Sequence, residues 1–336
     1  IKLFRENSKI IKSNLIKLGQ KEKLDIVEKI IKKDEDFRKI KPQIDKLRFE
    51  RNEISKKINQ EKKQGKDIKK LLADAKKIPE KISKLEEQEK KILAEIISLL
   101  KQIPNIIHKD VPSGKNADEN KEIKKWGKPK KFDFEPKNHV ELCEKNNWVD
   151  FESSAKISGS GFYFIKNDLA LLNQALIRFS LDFMNKKGYS YIESPLMIKR
   201  KIIDAAMGGS SKEFENSIYT ISGEDLNLIG TSEHSLLGLH ENQLFNEDEL
   251  PKKYFSYSMC FRKEVGSHGI NEKGLWRTHQ FNKIEQFVFC NPEESEKLYD
   301  ELMKNSEEIM QTLELPYRIV EMCTGDLAHW KHRSHD

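Results

Sequence analysis

The sequence predicts an α+β protein in which an antiparallel helical coiled-coil hairpin precedes a mainly antiparallel sheet flanked by helices. Three observations predict this fold: two heptad runs in the first third of the chain, a segment rich in Pro, Gly and charge after residue 103, and six aromatic or β-branched runs beyond it. The chain has 336 residues, enough for two domains, and 35% of them are charged. So polar a composition indicates a long solvated element beside a compact core.

The heptad runs predict the hairpin. Apolar residues alternate in steps of three and four over residues 37–58 and again over 68–103, which is the spacing of coiled-coil core positions. The segment KKQGKD between the runs contains a glycine and predicts a turn. Two stripes of similar length around one turn bury their apolar faces against each other, so the helices should be antiparallel. Pro42 and Pro79 predict a kink in each helix.

Composition also predicts the domain boundaries. Residues 104–131 are rich in Pro, Gly, Asn and charge, which is typical of a linker rather than of a helix or strand. The predicted domains are therefore 1–103 and 132–336, joined by the linker 104–131.

The second domain is predicted to be a sheet with intervening helices. Helical stretches are expected near residues 168–187, 233–245 and 293–313. The predicted strands are FYFIK, YSYIESPLMI, DLNLIG, YFSYSMCFRKEV, FNKIEQFVFC and YRIVEMC. Because helices occur only occasionally between these strands, the sheet should be mainly antiparallel.

Charge is distributed unevenly along the chain. Residues 1–103 contain 30 Lys and Arg against 18 Asp and Glu, and the remainder contains 31 against 37. A clustered positive field attracts polyanions, so the first third is a candidate nucleic-acid surface, although a solvated basic helix has the same composition.

Several protein classes are not expected. The four cysteines include no C-x-x-C pair, so neither a disulfide framework nor a cysteine zinc site is predicted, and a reducing cytoplasm fits. No run of about 18 apolar residues occurs and the first residues lack an apolar signal core, so membrane insertion and secretion are not expected.

The densest polar group lies on two adjacent predicted strands. FRKE at 261–264 is followed by a glycine-bearing stretch and then by WRTHQFNKIEQF at 276–287. Because residues two apart share a strand face, one face should carry two arginines, an aromatic ring and carboxylates. Arginine binds phosphate or carboxylate bidentately, an aromatic ring can stack on a base, and glutamate pairs with ammonium, so a nucleotide and amine site is predicted. Salt bridges on an exposed hairpin are the alternative.

Two further patterns are less specific. Gly230, Thr231, Ser232 and Glu233 predict a turn and a helix start, and alone they indicate a simple helix cap. The spacing of His329, His332 and His335 does not predict a metal site, since an acidic or cysteine partner and a preformed scaffold are usually needed. Neither a P-loop nor a dinucleotide fingerprint is present.

These residues carry a family resemblance. FRKE with WRTHQFNKIEQF resembles motif 2 of class II aminoacyl-tRNA synthetases, and YSYIESPLMI with Pro195 resembles motif 1. GTSEH and the long hairpin narrow the resemblance to seryl-tRNA synthetases, and it extends over essentially the whole chain. The resemblance implies a class II catalytic domain, built on an antiparallel sheet, of which these residues lack the carboxyl-terminal part. It also implies that the protein activates serine with ATP and transfers it to tRNA through seryl-adenylate.

The resemblance also implies roles for individual residues. Arg262 is the implied catalytic residue, holding the α-phosphate and the serine carboxylate. Glu264 and Phe281 would hold the adenine, and Arg277 an ATP phosphate. The implied ATP contacts are therefore Arg262, Glu264, Arg277 and Phe281, and the implied serine contacts are Thr231, Glu233, Arg262 and Glu285.

The implied partners are serine, ATP with Mg²⁺, the long variable arm of serine tRNA, and a second copy of the chain. Seven lysines near the hairpin turn are the candidate tRNA contacts: Lys56, Lys57, Lys62, Lys63, Lys66, Lys69 and Lys70. A synthetase-like paralogue without amino-acid activation and a coiled-coil nucleic-acid-binding protein are the alternatives. Family members continue beyond the position of Asp336 with a metal-binding glutamate and motif 3, so residues 1–336 alone are expected to be inactive and their metal ligands stay unknown.

Overall fold

The computed structural model describes residues 1–65, 67–207, 216–264 and 274–336. They form two compact units: Ile1–Lys121 together with Val320–Asp336, called the arm unit, and Glu122–Ile319, called the sheet unit. None of the helices in these described ranges is both long and apolar enough to cross a membrane.

The arm unit is dominated by the predicted hairpin. Its helices are α1 (Lys2–Glu6), α2 (Ser8–Lys17), α3 (Leu24–Lys63) and α4 (Lys69–Leu100). Ion pairs of Lys33 with Glu95 and of Arg48 with Glu86 join α3 to α4. Because the partner number falls along α4 as the position rises along α3, the two helices are antiparallel. Both helices continue through their prolines.

The apolar seam of the hairpin follows the predicted heptad positions. Ile40, Ile44, Ile78 and Ile82 form its buried cluster, and Leu47, Ile54, Leu85 and Ile92 pack against it. The coiled-coil prediction is therefore confirmed at the level of individual residues. At the base of the hairpin a second cluster combines Phe4, Ile11, Leu15, Val27 and Ile30.

Residues 104–131 are more ordered than their composition predicts. They contain a short 3₁₀ turn at Ala117–Glu119 and the strand β1 (Lys121–Trp126). Ile107 and Val111 are buried against Leu327, and the Asn14 side chain bonds the backbone of this stretch. The expectation of a segment without elements is therefore wrong, because β1 is exposed over most of its length and has no apolar alternation for the sequence to display.

The sheet unit contains β1 from Glu122 onward and the remaining strands and helices. The strands are β2 (Val149–Asp150), β3 (Phe164–Ile165), β4 (Ser190–Tyr191), β5 (Met197–Ile198), β6 (Asn227–Leu228), β7 (Lys252–Phe261), β8 (Gln280–Phe289) and β9 (Tyr317–Glu321). The helices are α5 (His139–Lys145), α6 (Phe151–Ser158), α7 (Asn167–Lys186), α8 (Arg200–Ala206), α9 (Ser232–Leu239) and α10 (Ser295–Thr312). β9 ends just inside the arm unit.

β7 and β8 are the long strands of the unit. They pair antiparallel from Lys252 opposite Phe289 to Phe261 opposite Gln280, and β4 pairs with β7 in parallel. Met184, Tyr189 and Phe255 form the core under this sheet, with Leu302 of α10 packed against them. The predicted α+β class is confirmed, and β7 and β8 carry the polar residues that the sequence analysis placed on two adjacent strands.

Candidate active site

The register of β7 and β8 builds one polar sheet face. Glu285, Lys283 and Phe281 lie directly opposite Ser256, Ser258 and Cys260. Residues directly opposite in an antiparallel pair project to the same side, so three long side chains face three short ones. Because Ser256 and Cys260 are fully buried and occupy little volume, the long side chains have room above the sheet.

Arg262 follows the last residue of β7. Its Nε donates a hydrogen bond to the carbonyl oxygen of Gly230 at 3.2 Å, and its guanidinium carbon lies 5.1 Å from the centroid of the Phe281 ring. Guanidinium stacking on an aromatic face is favourable and leaves the remaining N–H donors available. Arg262 therefore covers the aromatic end of the polar face while keeping donors for an anion.

Thr231 links the start of α9 to the carboxylate of Glu285. Its hydroxyl accepts the backbone N–H of Glu233 at 3.3 Å as the cap of α9, and it donates to Oε2 of Glu285 at 3.2 Å. The Lys283 ammonium lies 3.2 Å from the same hydroxyl and also contacts Glu285. One hydroxyl has one donor and two acceptor positions, so Thr231 uses its whole hydrogen-bonding capacity here.

Burial perturbs two titratable groups beside Thr231. It raises the pKa of Glu285, and the nearby Glu233 carboxylate raises it further, while Lys283 opposes both. For His234, burial with the Arg262 and Lys283 charges lowers the pKa to about 4. The imidazole is therefore neutral at physiological pH, and a cationic ligand near Glu285 would favour its charged carboxylate.

Glu264 and Arg277 form a second pair outside the strands. Arg277 Nη1 lies 3.4 Å from Oε2 of Glu264, and the Arg277 side chain is 52% exposed. Glu264 has φ of +50°, the left-handed region that is uncommon outside glycine. The strand alternation that predicted one shared face does not extend to these two residues, since β7 ends at Phe261 and β8 begins at Gln280. The structure thus brings together Thr231, Glu233, Arg262, Phe281 and Glu285, with Glu264 held by Arg277.

Comparison with known proteins shows the family to which the chain belongs. Residues 1–107 match the family model described as the seryl-tRNA synthetase N-terminal domain, and residues 218–335 match the tRNA synthetase class II core domain (G, H, P, S and T). A serine–tRNA ligase of Methanoregula boonei is 43% identical over all 336 residues, which span 79% of that protein. The chain belongs to the seryl-tRNA synthetase family.

Solved structures of seryl-tRNA synthetases share the fold. The enzyme from Pyrococcus horikoshii complexed with ATP superposes with a TM-score of 0.88 at 38% identity, over the whole of this chain and 79% of the other. The cytoplasmic serine–tRNA ligase from Naegleria fowleri in complex with AMP gives 0.83 at 32% identity, over 99% of this chain and 77% of the other.

The candidate tRNA contacts lie in the arm unit of this synthetase-family chain. Lys66 lies outside the described residues, and the other six lysines are exposed on the last turns of α3 and the first turn of α4: Lys56, Lys57, Lys62, Lys63, Lys69 and Lys70. These exposed cations flank the turn between the two helices and can neutralise phosphates.

The sequence placed Lys283 on the polar face without giving it a role, and it did not single out His234. Lys283 alternates with Phe281 and Glu285, so the strand period places it on the polar face, but its contact with Thr231 depends on α9. His234 lies three residues after Thr231 in α9, and helical spacing alone does not indicate that it is buried near Arg262.

The carboxyl-terminal histidines serve the arm unit. His332 Nδ1 bonds the carbonyl oxygen of Ile106 and its ring packs edge-on against His108, while His335 lies 3.9 Å from Glu321. Across the described ranges, no three His, Cys, Asp or Glu side chains converge in a way that would hold a metal.

Proposed function

We propose that this protein activates serine with ATP and transfers the seryl group to serine tRNA. In the first step the serine carboxylate attacks the α-phosphorus, pyrophosphate leaves, and seryl-adenylate forms. In the second, the terminal ribose hydroxyl of the tRNA attacks the seryl carbonyl and AMP leaves. The observation that carries this proposal is the single face on which Arg262, Phe281, Thr231 and Glu285 meet.

Arg262 is the proposed catalytic residue. Its guanidinium has donors to spare beyond the bond to Gly230, and the fork geometry suits both a carboxylate and a phosphate. In-line displacement at phosphorus needs alignment and charge neutralisation more than a protein nucleophile. Arg262 would hold the two reacting groups together and offset the charge that develops at the α-phosphate.

Phe281 and the Glu264–Arg277 pair are the proposed nucleotide contacts. The Arg262 guanidinium contacts the Phe281 ring. An adenine ring stacked on Phe281 would therefore lie beside that guanidinium. Glu264 would hold the adenine edge. Arg277, half exposed and close to Glu264, would extend to an ATP phosphate.

Mg²⁺ is the expected companion of ATP. In proteins it is usually bound by substrate phosphates with one or two carboxylates, so an all-protein cage is not required. The described part of the chain brings no three such ligands together, and the Glu264 carboxylate is engaged by Arg277. The residues described therefore hold no preformed protein cage for the ion, and its ligands would come mainly from the phosphates of bound ATP.

Glu285, Thr231 and Glu233 are the proposed residues of the serine site, with Thr231 acting through Glu285. The Glu285 carboxylate is largely buried and is paired with the Lys283 ammonium. The ammonium group of a substrate in the place of Lys283 would neutralise the same carboxylate. The fully engaged Thr231 hydroxyl fixes the orientation of Glu285, while Glu233 adds negative charge nearby. This arrangement favours a ligand with a free ammonium group.

The arm is the proposed tRNA-binding element. We assign residues 1–103 to tRNA binding, 104–131 to the connection between the domains and 132–336 to catalysis. We expect the protein to act in the cytoplasm. The long variable arm of serine tRNA would contact the exposed lysines of the α3–α4 hairpin through its phosphates.

Serine-dependent exchange of pyrophosphate into ATP by the full-length protein tests the proposal. Exchange that requires serine and is not supported by threonine or alanine is the expected result. A full-length protein that binds serine tRNA but shows no exchange would contradict the proposal and favour a paralogue without amino-acid activation.

A Glu285→Gln variant is expected to raise the Michaelis constant for serine by about 10- to 150-fold. The substitution keeps the shape but removes the charge that pairs with ammonium, and such a charge-assisted bond contributes about 1.5 to 3 kcal/mol. Pyrophosphate exchange at varied serine concentration measures the effect. Glu241→Gln is the matched control, because Glu241 pairs with Lys201 outside the polar face. An unchanged serine dependence would show that Glu285 does not contact the substrate.

We also expect a homodimer formed through the segment Tyr189–Ile198. Tyr191 and Met197 in this segment are 40% and 50% exposed, and Pro195 prevents regular strand pairing from continuing. Leu171 on α7 is a further exposed apolar residue, at 69%. Burial of such a surface stabilises association.

Sedimentation of the full-length protein at micromolar concentration measures the dimer. Met197→Lys is expected to shift the protein to monomers. Leu244→Lys is the control and should leave the protein dimeric, because Leu244 is 98% exposed and lies outside the segment Tyr189–Ile198. A monomeric unmodified protein would overturn the expectation.

A further inference from the structure

His139 receives two N–H groups from the start of the chain segment that leads into β8. The backbone N–H of Leu275 points at its Nε2 at 3.1 Å, and the indole N–H of Trp276 points at its Nδ1 at 3.0 Å. The ring also packs against Gly274, where an added Cβ would lie 2.8 Å from Nε2. His139 is the first residue of α5, so these contacts join that helix to the residues just before Arg277.

A single imidazole cannot accept both hydrogen bonds. The neutral ring has one nitrogen that accepts and one that carries a proton, and the protonated ring has no acceptor. Leu275 and Trp276 therefore compete for one lone pair, and the ring tautomer decides which of them is bound.

Exposure favours the backbone bond. Trp276 is 83% exposed, so its indole N–H can donate to water when released, and its ring can keep its edge contact with His139 at 5.3 Å between centroids. Leu275 is only partly exposed, and an N–H that loses its partner there incurs a desolvation cost. The tautomer protonated at Nδ1, with Nε2 accepting from Leu275, is therefore the favoured state.

We propose that His139 is a positioning residue for the ATP site. Through Leu275 it fixes the backbone two residues before Arg277, whose guanidinium makes a long contact of 3.4 Å with Glu264. Because this stretch is exposed, the orientation of the Arg277 side chain depends on the position of its backbone. Loss of the bond between Leu275 and His139 would therefore weaken phosphate binding by Arg277. The inference rests on the proposed function, since it gives Arg277 its role toward ATP.

Two substitutions separate the competing bonds. The side-chain carbonyl of glutamine can take the place of Nε2, and that of asparagine the place of Nδ1, so His139→Gln keeps an acceptor for Leu275 and His139→Asn keeps one for Trp276. We expect His139→Asn to raise the Michaelis constant for ATP roughly three- to tenfold, the effect of one neutral hydrogen bond, with turnover and the serine constant unchanged. His139→Gln should stay close to the unmodified protein.

Pyrophosphate exchange at varied ATP concentration, with thermal unfolding of each full-length variant, provides the test. Equal ATP constants for the two variants would overturn the inference. If either variant unfolds at a lower temperature than the unmodified protein, Trp276→Phe provides the test instead. This change removes the competing donor, so the Michaelis constant for ATP should stay the same or fall. A rise in that constant would overturn the inference. Absence of exchange in the unmodified protein would instead overturn the proposed function, and ATP titration calorimetry would still rank the variants.

Discussion

An Arg262→Ala variant of the full-length protein is expected to lose about 100-fold or more in turnover for pyrophosphate exchange. A donor aimed at charge that develops during the reaction stabilises the transition state more than the ground state, and removing one such donor typically costs this much. In this protein the loss should be large, because the Arg262 side chain is held both by Gly230 and by the Phe281 ring and is therefore already oriented before substrates bind.

Two further variants sharpen the Arg262 test. Arg262→Lys keeps the positive charge but not the planar fork, so it should recover only part of the lost turnover. Arg318→Ala is the matched control, since Arg318 lies on β9 with a 70% exposed side chain and a distant contact to Glu122. Normal turnover in Arg262→Ala would mean that the polar face is not the reaction site.

Deletion of Asp34–Leu93 is expected to remove most of the affinity for serine tRNA and most of its salt dependence. Each lysine that neutralises a phosphate contributes about 0.7 to 0.9 to the slope of log affinity against log salt, so loss of several contacts flattens that slope. The hairpin suits this deletion because Lys33 and Glu95, which flank the removed segment, already contact each other. The cluster around Leu15 and Ile30 lies at the base and is retained.

Filter binding of serine tRNA at several salt concentrations measures the effect of the deletion. A variant with Lys56, Lys57, Lys62 and Lys63 changed to Glu keeps the hairpin and should reproduce the loss of affinity. Serine-dependent pyrophosphate exchange, which does not involve tRNA, should remain in both variants. Unchanged tRNA affinity and salt slope would place the main tRNA contacts outside the arm.

The sequence predicted best where a structural period was long. The heptads placed Ile40, Ile44, Ile78 and Ile82 in the hairpin seam, and all four are buried there. Strand alternation likewise placed Phe281 and Glu285 on one face, because β8 is regular over its whole length. Side-chain direction in regular elements follows from geometry alone.

Prediction failed where partners come from distant parts of the chain. His139 contacts Leu275 across 136 residues, and no local pattern marks either residue. The strand β1 was missed since its lysine and glutamate side chains are exposed and do not alternate with apolar ones. Glu264 could not be oriented either, because its left-handed backbone departs from the strand period just after β7 ends.

The discontinuous make-up of the arm unit constrains the order in which the protein can fold during synthesis. Ile107 and Val111 pack against Leu327, yet the whole sheet unit is translated between them. At about 5 to 20 residues per second, the ribosome delivers Leu327 roughly 10 to 40 s after Val111. The hairpin, whose contacts are local, can form early in that interval. The apolar cluster around Ile107 stays incomplete until translation reaches Leu327.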